Sequence, residues 1–366
     1  MSTKFPCVRV EELVPAALGP NPLYHVGLAI GAIDASRRGT VSTYSGAALA
    51  KAFAYTAYRN GVRALRAALA EEDVHQRDDV LVATFLLSLF EVLSEPMGDG
   101  WSKHLIHGTC RLVELAGPNL EQPLSFLRRG ILAEFRLSEI ARAILHGTDT
   151  FLAEPVWLEF FRGMGSAKPE SWEPQEAMLN LVIMVARFHN RFFNAVEAVP
   201  KNERPNLLFL DAFRSKGLEL QASIREWYSL ASKWQRTANT QSLLWGLGLV
   251  YYHALLVHLS DDFVRYFSWS AKPTPSMAED ELREHVDNIL SLLIELSSHP
   301  YIIGIMLMFP LKLVGSHVTD VETRRKVLGI FDKLYWRGYI ASLELKTKMQ
   351  SSWSNQEEEF EGQLPD

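Results

Sequence analysis

The sequence predicts an all-α protein, a single multi-helix domain with its helices packed around a large apolar core. Three observations predict it. Apolar residues recur every three to four positions through most of the chain, the spacing that gives a helix one buried face. Proline, glycine and acidic residues sit where helix ends are expected. No region offers several period-2 strands separated by hairpin turns.

The helices follow in order. Residues 1–19 are read as an N-terminal extension, and 20–349 as the helical domain. "GAALAKAFAYTAYRNGVRALRAALA" (Gly46 to Ala70) is rich in Ala, Leu and Arg, all strong helix formers, at helical spacing. Asp78 and Asp79 precede "VLVATFLLSLFEVLS" (Val80 to Ser94) and suit the positive end of a helix dipole; Pro96 and Gly98 mark its stop. "WSKHLIHGTCRLVELAGP" (Trp101 to Pro118) forms the next helix, followed by Pro123 to Gly147, Met178 to Val199 and Asp211 to Arg236. Four more are expected within Thr240 to Phe267, Glu279 to Ser297, Ile302 to Val314 and Val321 to Met349. The breaks between them, including Thr148 to Pro174, are too short or too apolar for interdomain linkers. Residues 350–366, "QSSWSNQEEEFEGQLPD", are expected to be an acidic, disordered tail.

Composition excludes several functions. The net charge of −6, with no long Lys or Arg cluster, argues against phosphate-backbone binding. Two cysteines, Cys7 and Cys110, allow neither a disulfide framework nor a cysteine-based zinc module. The N-terminus lacks an apolar signal core, so a nuclear or cytoplasmic protein is expected, not a secreted one. "LLWGLGLVYYHALLVHL" carries two histidines, and "YIIGIMLMFPLKLVG" is interrupted by Pro310 and Lys312; both read as core helices with no membrane partner. No nucleophile elbow, phosphate-cradling loop or H-E-x-x-H pattern occurs. No cofactor is expected.

The series His104, His107 and Cys110 invites a metal reading. At about 100° per residue, His104 and His107 are neighbours, but Cys110 drifts roughly 60° further round, onto a face with Lys103, Arg111 and Glu114. Three ligands on one short helix do not surround a tetrahedral ion. The reading is an amphipathic helix with histidines at its edge, and no metal. His104 and His107 stay as ligand-pocket candidates.

This region carries a family resemblance. The run "DDVLVATFLLSLFEVLSEP…WSKHLIHGTCRLVELAGP" resembles the fungal-specific transcription factor domain, the regulatory helical region of zinc-cluster transcription factors. That family recurrently shows an "ELLS"-like turn, a Trp, an H-x-x-G step and a Leu-rich helix ending in Gly. Here the turn reads "EVLS", and the step from His104 to Gly108 is one residue longer. "NPLYHVGLAIGAIDASRRG", "RRGILAEFRLSEIARAILHGTDTFLAEPVWL" and "FPLKLVGSHVTDVETRRKVLGIFDKL" agree as well, so the likeness covers roughly residues 20 to 345. It implies an all-α domain acting in gene regulation and supplies no catalytic residues. The family's six-cysteine DNA-reading module is missing, so no direct nucleic-acid binding is expected.

Two functions fit a regulatory body without its reader. The first is a transcription-factor-like regulator tied to fungal secondary metabolism. Its expected partners are a small apolar metabolite or a full-length homologue, and a homodimer is compatible with the sequence. The second is the same fold recruited as a cofactor-independent enzyme, of cyclase or pericyclase type, that works by orienting an apolar intermediate.

Further pocket candidates are His189, among Phe188, Phe192 and Phe193, and Trp245, Tyr252 and His253, beside Gly246 and Gly248. Those glycines suit tight helix packing, or less readily a pocket wall. His253 and His258 differ by about 140° on a helix and do not face a shared metal. His258, with Asp261 and Asp262 at i+3 and i+4, is expected to form a local ion pair. Glu91 and Glu95 read as a solvated helix end.

Overall fold

A computed structural model describes residues 14, 16–19, 21–37, 44–94, 105–119, 124–165, 173–200, 209–238, 243–267, 272–299 and 304–361. Among them are thirteen α-helices and no strand, so the protein is all-α. The helices are α1 (Pro22–Arg37), α2 (Tyr44–Ala68), α3 (Asp78–Ser94), α4 (Arg111–Ala116), α5 (Phe126–His146), α6 (Pro155–Gly165) and α7 (Pro174–Glu197). They continue with α8 (Phe209–Ala238), α9 (Leu243–Phe267), α10 (Glu279–Leu296), α11 (Ile305–His317), α12 (Val321–Trp336) and α13 (Ala341–Glu361). Two compact units emerge, one from Met1–Ser138 with Leu334–Asp366, the other from Glu139–Lys333.

In the first unit α1, α2 and α3 pack on one another. Their core joins Ala29 and Ile33 with Ala54, Ala57 and Phe90. Small residues on α1 and α2 bring those helices close. A Cβ on Gly61 would lie 2.8 Å from Val26, so only glycine fits there. Tyr58 stacks on Phe90 at 4.7 Å and donates its hydroxyl to Glu91 at 2.9 Å, so Glu91 is part of the packing, not the solvated end expected for it. Glu95 lies outside the described residues. The acidic start of α3 behaves as its charge predicts: Asp79 pairs with Arg77 at 2.7 Å and Asp78 with Arg128 at 3.0 Å.

The face expected for Cys110 is corrected. This residue is buried at 6% exposure, although helical angles put it on the charged arc. The reason is a π-helical turn over Leu105–Cys110, which carries more residues per turn than an α-helix and shifts every later angle. His104 lies outside the described residues, as does the His107 side chain.

The region 321–349, expected as one helix, is two. Gly338 adopts φ +99 between α12 and α13, a backbone state open to glycine, and a Cβ there would meet Leu93 at 3.2 Å. Its carbonyl accepts from Arg37 at 3.3 Å. α13 then continues to Glu361 with Trp353 buried, where a disordered tail was expected from residue 350. Trp353 supplies an apolar anchor that composition alone conceals.

In the second unit α9 packs against α7, α8, α10 and α11. By length and composition its segment Leu243–Arg265 is long enough to cross a membrane. Leu255, Leu256, Val257 and Leu259 are fully buried within the protein, as in a core helix. Phe188, Phe192 and Phe263 form a nearly parallel stack at 5.4–6.2 Å where α7 meets α9. Pro310, expected to interrupt its apolar stretch, lies inside α11.

The turn after α5 is held from within. Gly147 ends the helix at φ +60, and its carbonyl accepts from Asn190 at 2.7 Å. Arg142 forms a two-bond pair with Glu139 at 2.7 and 2.6 Å and also reaches the Thr148 hydroxyl and the Asp149 carbonyl. Thr150 then caps the short 3₁₀ turn Phe151–Ala153. Helix α6 follows, within a stretch that the sequence suggested was a break.

Candidate functional site

Helix α9 bears two polar clusters, turned away from each other as the angle between residues 253 and 258 requires. The first begins with Trp227 on α8. This indole is buried, and its Nε1 donates to the Pro174 carbonyl at 2.7 Å, which fixes the ring plane. Gly248 makes room for it; a Cβ there would lie 3.1 Å from the indole. Gly246 gives the same allowance to Leu296 at 3.2 Å, so both glycines serve helix packing.

An aromatic row builds outward from Trp227. Trp245 stacks on it at 5.9 Å and Tyr252 at 6.3 Å, with Tyr228 over Tyr252 at 4.6 Å. Trp245 and Tyr252 are half-buried and Tyr228 is exposed, so the row runs from core to surface. Such rings bury large area while their polar ends stay able to hydrogen-bond.

His253 and His285 close this row, with their Nδ1 atoms 2.6 Å apart. One ring must donate and the other accept, so the two carry opposite tautomers. The donor ring then has a bare Nε2, and the acceptor ring has an Nε2–H. Burial lowers the proton affinity of His253 to about 4, with the His285 charge as a smaller cause; burial lowers that of His285 too. Near neutrality the pair therefore offers one donor and one acceptor beside an aromatic wall. That combination suits a flat apolar ligand carrying a carbonyl or hydroxyl.

The second cluster joins α7 to the other side of α9. His189 Nδ1 lies 2.9 Å from both Asp262 oxygens, and the His189 and His258 rings are 4.5 Å apart. Asp261 bonds His317 Nε2 at 2.9 Å. The local pair expected between His258 and its own helix is thus replaced: both aspartates turn to histidines on other helices. His258 Nε2 is left buried without a hydrogen-bond partner, and burial lowers this ring's proton affinity to about 4.

Of the candidates read from sequence, Trp245, Tyr252 and His253 meet at one site, and His189 belongs to the other. Sequence reading missed Trp227, Tyr228, His285 and the role of Asp262. The adjacent Trp-Tyr on α8 was a usable signal, but nothing in its spacing tells which helix it faces.

A pH dependence follows for stability. His253 and His258 have folded proton affinities below the ordinary histidine value of about 6.5. Between about pH 6.5 and 4 the unfolded chain binds protons that the folded chain refuses, so stability falls as pH falls through that window. Melting temperature is expected to decline steadily from pH 7 to 4.5, and His253→Gln and His258→Gln should each flatten the decline. An unchanged profile in both variants would contradict this assignment.

Comparison with known proteins adds a family. The family model described as fungal specific transcription factor domain matches residues 7–361. An uncharacterized protein of Emericella nidulans is 30% identical over 100 residues, 27% of this chain and 21% of that protein. The match thus spans about a fifth of that relative's length. No solved structure matches the chain.

Proposed function

The chain belongs to the fungal specific transcription factor domain family, and on that premise we propose a regulatory protein that senses a small apolar metabolite on the aromatic face of α8, α9 and α10. The observation that carries the reading is the core-to-surface row of Trp227, Trp245 and Tyr252, ended by the His253–His285 pair. The row supplies stacking area, and the pair supplies directional polar recognition beside it. With two cysteines, these residues do not carry the six-cysteine DNA reader. A full-length homologue is the partner this reading favours for promoter address, in the nucleus or after passage from the cytoplasm. Secondary metabolism is the setting this reading favours, because its intermediates are apolar and ring-rich.

The test is gene deletion with transcript and metabolite profiling, complemented by wild type, Trp245→Ala and His253→Ala. Loss of a transcript set, restored by wild type and by neither variant although both fold, is the expected result. Unchanged transcripts with accumulation of one pathway intermediate would overturn regulation in favour of the cofactor-independent enzyme.

A further inference from the structure

We propose that His189, His258 and Asp262 form a binding site for one divalent transition-metal ion of the zinc class, on the side of α9 turned away from the aromatic face. Each offers one ligand atom, and the three atoms lie within 4.8 Å of one another. Two imidazoles and a carboxylate are the donor set that zinc accepts in sites with an open fourth position.

Three features of the cluster support it. His258 and Asp262 are one helical turn apart on α9, so a rigid element sets their spacing. His189 arrives from α7, already oriented by its bonds to both Asp262 oxygens at 2.9 Å. His258 Nε2 is buried with no hydrogen-bond partner, an orphan whose ring remains available for coordination. Ligand atoms bound about 2.0–2.2 Å from a tetrahedral ion stand about 3.4 Å apart. The His189–Asp262 contact would therefore open by about half an ångström while His258 moves inward by side-chain rotation.

Coordination through Nδ1 needs that nitrogen's lone pair, so the proton of the neutral His189 ring passes by exchange with solvent to Nε2, and the ring binds as a neutral ligand. The other charged neighbours are Asp261, paired with His317, and Lys312, which bonds the Leu145 carbonyl at 3.2 Å. Asp261 favours the ion and Lys312 opposes it, leaving the three donors to decide.

The experiment uses the full chain, stripped with EDTA and titrated with zinc against a chromophoric chelator, then with cobalt followed by visible absorption. One equivalent should bind, with ligand-field bands of low coordination number and a raised melting temperature. His258→Ala and Asp262→Asn should each weaken zinc binding more than about 10-fold, since even outer neighbours of metal ligands cost that much. His299→Ala, at a histidine that is not one of the three ligands, should leave it unchanged. If His258→Ala fails to fold, Asp262→Asn and His189→Gln carry the same readout. Absence of competitive zinc binding by the wild type, or binding that survives in the ligand variants, overturns the site. Neither result bears on metabolite sensing, which uses the opposite side of the helix.

Discussion

Arg142→Ala is expected to lower the unfolding free energy by about 3 kcal/mol, the cost of taking a two-bond guanidinium partner from a buried carboxylate. Both side chains are almost fully buried, at 3% and 1% exposure. The guanidinium also holds Thr148 and Asp149, so its loss frees the turn that leads to α6. Arg142→Lys should recover only part of the loss, because an ammonium cannot make the two parallel bonds to Glu139. Glu139→Ala should be damaging too, and the double variant should cost less than the two singles together. Urea unfolding of the four proteins reads this directly. Additive losses would show that the pair does not act as a unit.

The second large effect concerns Pro310. In a helix the N–H of residue 310 would bond the carbonyl of residue 306, and proline has no N–H. The Met306 carbonyl is instead met by the Tyr251 hydroxyl, from α9, at 2.8 Å. Burial pushes that hydroxyl's pKa well above its ordinary value, which keeps it a donor. Tyr251→Phe should therefore orphan the carbonyl and cost about 1–3 kcal/mol. In a Pro310→Ala background the helix supplies its own donor, so the same change should cost at least about 1 kcal/mol less. Equal costs in both backgrounds would mean that Tyr251 does not substitute for the missing amide.

Much of the fold was legible because helical periodicity is local. The acidic start of α3 and the long apolar run of α9 announce themselves in single stretches. The failures share a physical cause. Cys110 was misplaced because one π-turn rotates all later positions, and no composition signal reveals it. The split at Gly338 was missed because one glycine inside a periodic run does not disclose its φ. For the sites, sequence found half of each contact. Trp245, Tyr252 and His253 stood out on α9, but Trp227 and His285 lie on other helices, and pairing between helices is set by packing. Asp262 was assigned to His258 because they are sequence neighbours, yet α7 brings His189 closer.

The contact between His253 and His285 has one more consequence. A single proton lies between two like atoms, so its transfer from one Nδ1 to the other, with exchange at the outer nitrogens, converts each ring into the other's tautomer. The pair is thus a reversible polarity: its donor and acceptor ends can trade places without moving an atom heavier than hydrogen. A guest that presents a ketone and the same guest as its enol would meet the two forms of one site. Discrimination between them would fall to the aromatic row, whose shape does not change.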